Sequence, residues 1–162
     1  MSGQELLVRV ADMRAGVADD VLVTVGLGSC VAILLYDAEA RVGGLAHTLL
    51  PSRRLARQDG NPAKFPESAV PRLLELMIAE GARPERITAR LVGGASMFAS
   101  LASPGTVQMG ERNLLAARQA LNSHGVRLVG EAVGGDFGRT VRFRVRDGQV
   151  EVSTVFHGVQ HL

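Results

Sequence analysis

The stretch "CVAILLYDAEARVGGLAHTLLP", Cys30 to Pro51, decides how the 162-residue chain is read. Two runs rich in large apolar and β-branched residues flank a short polar connection centred between Ala38 and Glu39, the pattern of a β-hairpin. If the loop is Asp37 to Ala40, Tyr36 pairs with Arg41, and Cys30, the sole cysteine, falls opposite His47. Directly opposed residues share a sheet face with Cβ atoms ~4.5 to 5.5 Å apart, close enough for a thiol and an imidazole to share a hydrogen bond. The pairing depends on register. A bulge at Gly43-Gly44 would slip the strand by one residue and turn His47 to the other face.

A Cys-His pair does chemistry because the reactive species is thiolate, which imidazole generates by taking the thiol proton. The preceding "GLGS" adds to this, since Gly26 and Gly28 permit tight turns that aim backbone N–H groups at a developing oxyanion. A lone cysteine before an apolar strand is more often a small packing residue, so spacing alone leaves both readings open.

Outward from the hairpin, "ELLVRVAD" and "DDVLVTVG" read as strands, and Glu67 to Glu80 as a helix with Val70, Leu73, Leu74, Met77 and Ile78 on one stripe. Ser68 is its expected N-cap, Pro71 lies in its first turn and Gly81 stops it. "RITARLVGGA" is a strand ending in a glycine turn, "GERNLLAARQALNSHG" a second helix, and "VRLVGEAVGG" another strand. "TVRFRVRDGQVEVSTVF" is a hairpin turned at Asp147-Gly148, with Arg142, Arg144 and Arg146 on its wet face and Val141, Phe143 and Val145 on its packed face. The order predicts an α+β fold, a β-rich core covered by at least two helices, in a single domain over 1–162. The one long connection, Pro51 to Glu67, carries Arg53, Arg54, Arg57 and Lys64 and is read as a functional loop bordering the site.

Composition narrows the function. Lys64 is the only lysine among 18 basic residues, the net charge is only +2, and no basic run is interleaved with aromatics, so no nucleic-acid partner is expected. No signal peptide or apolar stretch of ~18 residues is present, so a cytoplasmic protein without membrane insertion is expected. "GLGSCV" lacks the third glycine and the following helix of a dinucleotide site. The letters DFG in "GGDFGR" stand without the other kinase motifs and read as a tight connection. His157 and His161 follow a strand without a further ligand nearby, so no metal is expected, and Asp19-Asp20 reads as a solvated turn.

"TVGLGSCVAILLYD" followed by "GGLAHTLLP" resembles the signature of CheD, the chemoreceptor glutamine deamidase of bacterial and archaeal chemotaxis. The resemblance continues through "LVGGASMF", "GERN" and "GGDFGRTVRF". It implies Cys30 as nucleophile, His47 as base and Thr24 as the group orienting the imidazole, with backbone around Gly28 and Ser29 holding the oxyanion. It also implies the cysteine hydrolase fold of cytotoxic necrotizing factor catalytic domains, a layered β-sheet sandwich flanked by helices, no cofactor, and hydrolysis of glutamine side-chain amides through a thioester. The implied partners are the cytoplasmic coiled coil of a methyl-accepting chemoreceptor and the CheC phosphatase. The competing reading is a non-catalytic adaptor that binds receptor or CheC.

Overall fold

A computed structural model of the chain describes residues 3–56, 60–98, 101, 103 and 105–162. Among these residues ten strands run β1 (Glu5–Leu7), β2 (Met13–Val17), β3 (Val21–Leu27), β4 (Val31–Asp37), β5 (Val42–Thr48), β6 (Thr88–Gly93), β7 (Arg127–Val133), β8 (Arg139–Arg144), β9 (Gln149–Thr154) and β10 (Gly158–His161). Helix α1 (Pro66–Ala79) lies between β5 and β6, and α2 (Met109–Ser123) between β6 and β7. The strands form two five-stranded sheets, ordered β1-β3-β8-β9-β10 and β2-β5-β4-β6-β7. Each contains one parallel pair, β1 with β3 and β6 with β7.

Strand β4 is the centre of the second sheet and is buried along its whole length, which is why it reads as an unbroken apolar run rather than an alternating one. Its even-numbered residues Ala32, Leu34 and Tyr36 meet Leu22, Phe143 and Val152 of the first sheet. Its odd-numbered residues Val31, Ile33 and Leu35 lie in a second core with Leu73 and Met77 of α1 and Ala117 and Leu121 of α2. The fold is therefore α+β in three layers, sheet on sheet on helices. Both helices contribute to the same core, so they cover one side of the sandwich rather than flanking it.

The hairpin forms where the sequence places it, in a different register. Asp37 pairs with Val42, Tyr36 with Gly43 and Ala32 with His47. The loop is Ala38 to Arg41, and Cys30, one residue before β4, is not opposite His47. The cause is Asp37, which reads as a turn residue but stays in the strand, where its carboxylate accepts the N–H groups of Glu39 and Ala40, each at 3.1 Å. That carboxylate is fully buried and also accepts the Arg83 N–H at 2.9 Å and the Arg86 guanidinium at 2.9 Å. A shift of two residues preserves parity, so Cys30 and His47 keep the same face. Gly43-Gly44 carries no bulge. A Cβ at Gly43 would stand 3.0 Å from the Phe143 ring and one at Gly44 2.8 Å from Leu73, so the glycines let both layers close onto β5.

Other departures are local. "ELLVRVAD" is only partly strand: the chain leaves β1 at Leu7, turns at Ala11 with φ 59°, and runs into β2 along β5. Ser68 is not the cap of α1; Phe65 holds that position, and the Ser68 hydroxyl donates to the Pro62 and Phe65 carbonyls from inside the first turn. On α1, Val70, Leu73 and Met77 are fully buried, whereas Ile78 remains exposed. Alternation in β8 is as read, with Val141 and Phe143 buried and Arg142 and Arg144 exposed.

Burial by itself would raise the Asp37 pKa, but the bonds from Arg86, Arg83 and Ala40 outweigh it and hold the carboxyl below its ordinary value. Asp37→Ala is expected to cost about 3 kcal/mol in urea unfolding at neutral pH. The folded pKa is the lower one, so this contribution is complete above the unfolded value of about 4 and fades as pH falls through the folded one. The gap between wild type and variant should therefore narrow in acid.

Candidate active site

Thr24 and His47 approach each other across the sandwich. Leu22 and Thr24 both point inward from β3, as the two-residue period of a strand requires. His47 shares the inward face of β5 with Leu45, and both are fully buried. After Thr24 the ladder to β8 shifts, from Thr24 opposite Val141 to Leu27 opposite Arg139, so β3 carries one extra residue there. Gly26, with φ 73°, lies in that bulge, and the chain then crosses through Gly28 and Ser29 to Cys30 and the second sheet. Gly28, one of the expected oxyanion residues, is not itself left-handed. A Cβ there would meet the Met97 sulfur at 3.0 Å.

Glycine-rich turns brace this crossing. The Gly94 N–H donates to the Cys30 carbonyl at 2.8 Å, and the Ala95 N–H to the Gly28 carbonyl at 2.9 Å. The Gly134 N–H in turn holds the Gly93 carbonyl at 2.9 Å. Gly93 adopts φ 110°, and a Cβ on it would lie 2.3 Å from the Cys30 carbonyl oxygen, an approach open only to glycine. "LVGGASMF" and "GGDFGR" thus act as the frame around Cys30. In the second of these, Phe137 stacks on His157 at 4.2 Å between centroids and Arg139 lies 4.4 Å over the Phe137 ring.

The hydrogen bonds of Thr24 settle the state of His47. The Thr24 hydroxyl lies 2.6 Å from the Val8 carbonyl oxygen and 2.7 Å from His47 Nδ1. A hydroxyl has one proton, and a carbonyl only accepts. The proton of Thr24 therefore goes to Val8, and His47 Nδ1 must be the donor to the Thr24 oxygen. In neutral imidazole this leaves Nε2 as the bare acceptor, and among the described residues it has no hydrogen-bond partner. Cys30 does not bond to it. Cys30, one residue before β4, lies in the inter-sheet core with Ala32 and Leu45, on the face that His47 shares. Diagonal neighbours on one face of a ladder stand ~7 to 8 Å apart, a gap that an imidazole and a thiol can span.

Burial lowers the His47 pKa to about 4. Burial also raises that of Cys30, a shift its own backbone N–H partly opposes. Both effects favour the uncharged form, so the pair rests as thiol and neutral imidazole rather than as an ion pair. Such a pair activates its nucleophile by general-base transfer as attack proceeds.

The surface beside Gly26 and Ser29 is mainly apolar. A cleft of about 230 Å³ joins Ser29 to Met97, Phe98 and Met109, and another of about 740 Å³ joins Gly26 to Met97, Phe137 and Phe156. Phe98 is 72% exposed and Phe156 88%. The sequence reading missed this surface because isolated apolar residues between glycines carry no periodic signal. Of the basic loop, Arg53 lines a separate shallow cleft with Glu67, Arg72 and Glu75 of α1, while Arg57 is outside the described residues. At its other end the loop closes on the chain just after β5, with the Lys64 carbonyl accepting the N–H groups of Leu49 at 2.9 Å and Leu50 at 3.1 Å. Sequence reasoning also missed Asn113 of α2, whose amide reaches the carbonyls of Ser29 and Leu49.

A single thiol at a strand start, beside a hydroxyl-held imidazole with one free acceptor nitrogen, has the parts of a thiol-dependent hydrolase site. Comparison with known proteins names the family. A family model described as CheD chemotactic sensory transduction matches residues 49–154. Proteins named "Probable chemoreceptor glutamine deamidase CheD" match along the rest as well. That of Caldanaerobacter subterraneus subsp. tengcongensis is 40% identical over 162 residues, 100% of both chains. That of Methanococcus maripaludis is 40% identical over 147 residues, 91% of this chain and 93% of the relative. A Geobacter metallireducens relative, "CheD 2", is 46% identical over 143 residues, 88% of each. The chain belongs to the CheD family. Among solved structures, a Neisseria meningitidis protein of family DUF152 superposes with a TM-score of 0.48 at 16% identity, covering 91% of this chain and 71% of that one.

Resting neutrality can be read from the thiol. Iodoacetamide alkylation of Cys30 in the substrate-free protein is expected to keep rising through pH 9, the ordinary thiol value above which burial holds it. A plateau beginning near about pH 6 would instead reveal a thiolate-imidazolium pair.

Proposed function

We propose that the chain is a protein-glutamine deamidase that hydrolyses glutamine side chains of a methyl-accepting chemoreceptor to glutamate and ammonia, with Cys30, His47 and Thr24 as its catalytic set. The observation that carries the reading is His47: Thr24 holds Nδ1, and Nε2 is left bare on the sheet face it shares with Cys30. Nε2 takes the Cys30 proton as Sγ attacks the carboxamide carbon, and the carbonyl π electrons move to oxygen. Backbone N–H groups of the Gly28-Ser29-Cys30 turn stabilise that oxyanion. As the tetrahedral centre collapses, the C–N bond breaks and His47 returns the proton to the departing nitrogen, releasing ammonia. Water then attacks the thioester with Nε2 as base, and glutamate leaves as the Cys30 thiol is restored. Thr24 keeps the ring in the required tautomer throughout, and no step calls on a metal or cofactor.

The exposed apolar residues beside Ser29 suit a side chain presented on a receptor helix better than a deep pocket would. The same reading places the protein in the cytoplasm, with CheC phosphatase as second partner and the cysteine hydrolase fold of cytotoxic necrotizing factor domains as the wider relationship. No described helix is long and apolar enough to cross a membrane. An adaptor that binds receptor or CheC without turnover is the competing reading, and an intact Thr24, Cys30 and His47 set favours the enzyme.

Incubation with a receptor cytoplasmic fragment should convert glutamine to glutamate by mass spectrometry, and Cys30→Ala should abolish conversion. No conversion by the wild type would favour the adaptor. Thr24→Val should lower kcat by about 100-fold while Thr24→Ser retains most of it, because the valine leaves Nδ1 without its acceptor. His47 is a base only while neutral, and its pKa is pushed to about 4. The kcat/KM profile should accordingly stay level down to about pH 5 and fall below it, rather than declining from about pH 6.5 as an unperturbed histidine would. Phe98→Glu should raise KM by about tenfold at unchanged kcat. Charge reversal at Arg53 and Arg54 should change KM by less than about twofold at low salt.

A further inference from the structure

We propose that Asn113 is a positioning residue for the oxyanion: by holding the Ser29 carbonyl toward α2, it turns the N–H of the same peptide, that of Cys30, toward the side where the substrate carbonyl must sit. The inference rests on the deamidase reading and adds a residue to it.

The β4–β5 ladder ends at Val31 paired with Thr48. Beyond that pair, Leu49 comes one residue after Thr48 and Ser29 two residues before Val31, and the Asn113 amide spans the open end, with Nδ2 donating to Ser29 O at 2.8 Å and to Leu49 O at 3.2 Å. Both partners only accept, so the orientation of the amide is set by chemistry. Turning it over would place Oδ1 against two carbonyl oxygens. The side chain is fully buried on the core face of α2 beside Leu114 and Ala117, where a leucine would be the ordinary occupant and an amide is costly unless bonded. Its Oδ1 meets no partner among the described residues, so the two carbonyls are what the amide serves.

The consequence for Cys30 follows from peptide geometry. Among the described residues no peptide is cis, and in a trans peptide the C=O and N–H point in opposite directions. With Ser29 C=O directed at α2, the Cys30 N–H points away from the helix, toward the side of its own sulfur. An oxyanion donor beside the nucleophile is where a carbonyl under attack by Sγ needs it. The next residue along is also held, since the Cys30 carbonyl accepts from Gly94 at 2.8 Å. The donor is therefore fixed from both sides before substrate arrives.

Deamidation needs this donor, whereas alkylation of the thiol by iodoacetamide does not. Asn113→Ala is expected to lower kcat on the receptor fragment by about 100-fold, with KM and the alkylation rate of Cys30 at pH 8 each within about threefold of wild type. Leu121→Ala, a buried truncation on the same helix, serves as the control and should retain kcat despite a lower melting temperature. Asn113→Asp should be slow at neutral pH, where a carboxylate faces two carbonyls. It should gain activity toward pH 5, where the protonated acid again donates, while the wild type stays level. This second variant decides the matter should Asn113→Ala not fold. Parallel losses of alkylation and turnover, a kcat loss no larger than that of Leu121→Ala, or a flat Asn113→Asp profile would each overturn the assignment. A wild type no faster than Cys30→Ala would overturn the deamidase reading and this assignment together. An active wild type beside an unimpaired Asn113→Ala would overturn this assignment alone.

Discussion

The buried Asp37 carboxylate is the interaction on which the site depends. It closes the far end of the β4–β5 hairpin by holding two N–H groups of the turn, and its bonds to Arg83 and Arg86 tie that turn to the approach to β6. Those bonds keep Asp37 in the strand and set Val42 as its partner, and every pair up to Ala32 with His47 follows from that first one. A one-residue slip at the turn would place His47 among the helices, away from Thr24. A charged group more than four strand residues from His47 therefore decides which layer the imidazole faces.

At the other end, polar groups sit where the core would otherwise be apolar. Thr24, His47 and Asn113 are each fully buried, and such groups are tolerated when hydrogen-bonded. Thr24 satisfies Val8 and His47, and Asn113 satisfies Ser29 and Leu49. Among the described residues two buried atoms are left over, Asn113 Oδ1 and His47 Nε2, and the second is the one the proposed reaction uses. The same desolvation that depresses its pKa keeps it neutral and able to accept a proton across the physiological range. Burial thus makes the imidazole a weaker base in equilibrium terms while ensuring that it is always in its basic form.

The glycines divide by physical role rather than by motif. Gly26 allows the bulge that lets β3 hand the chain to the second sheet, and Gly93 lets the backbone after β6 come against the Cys30 carbonyl. Gly43 and Gly44, which suggested a bulge, instead admit Phe143 from one layer and Leu73 from the other. A sequence shows that a side chain is absent; whether the reason is a dihedral angle or a neighbour requires the neighbour.

The hairpin, the helical stripes, the alternation of β8 and the shared face of Cys30 and His47 could be read from residue order alone. All of these are periodic, and period-two parity survived a register shift of two residues. The resemblance to a known family supplied Thr24. Strand β2, "MRAGV", and the short β10 were not legible because neither carries a strand-like apolar pattern, and each owes its form to the neighbour it pairs with. The tautomer of His47, the apolar surface beside Ser29 and the bridge made by Asn113 emerged only with the packed layers. Each is a contact between segments far apart in the chain. Such contacts depend on how sheet packs on sheet and helix on sheet, and local periodicity holds no information about which side chains that packing brings together.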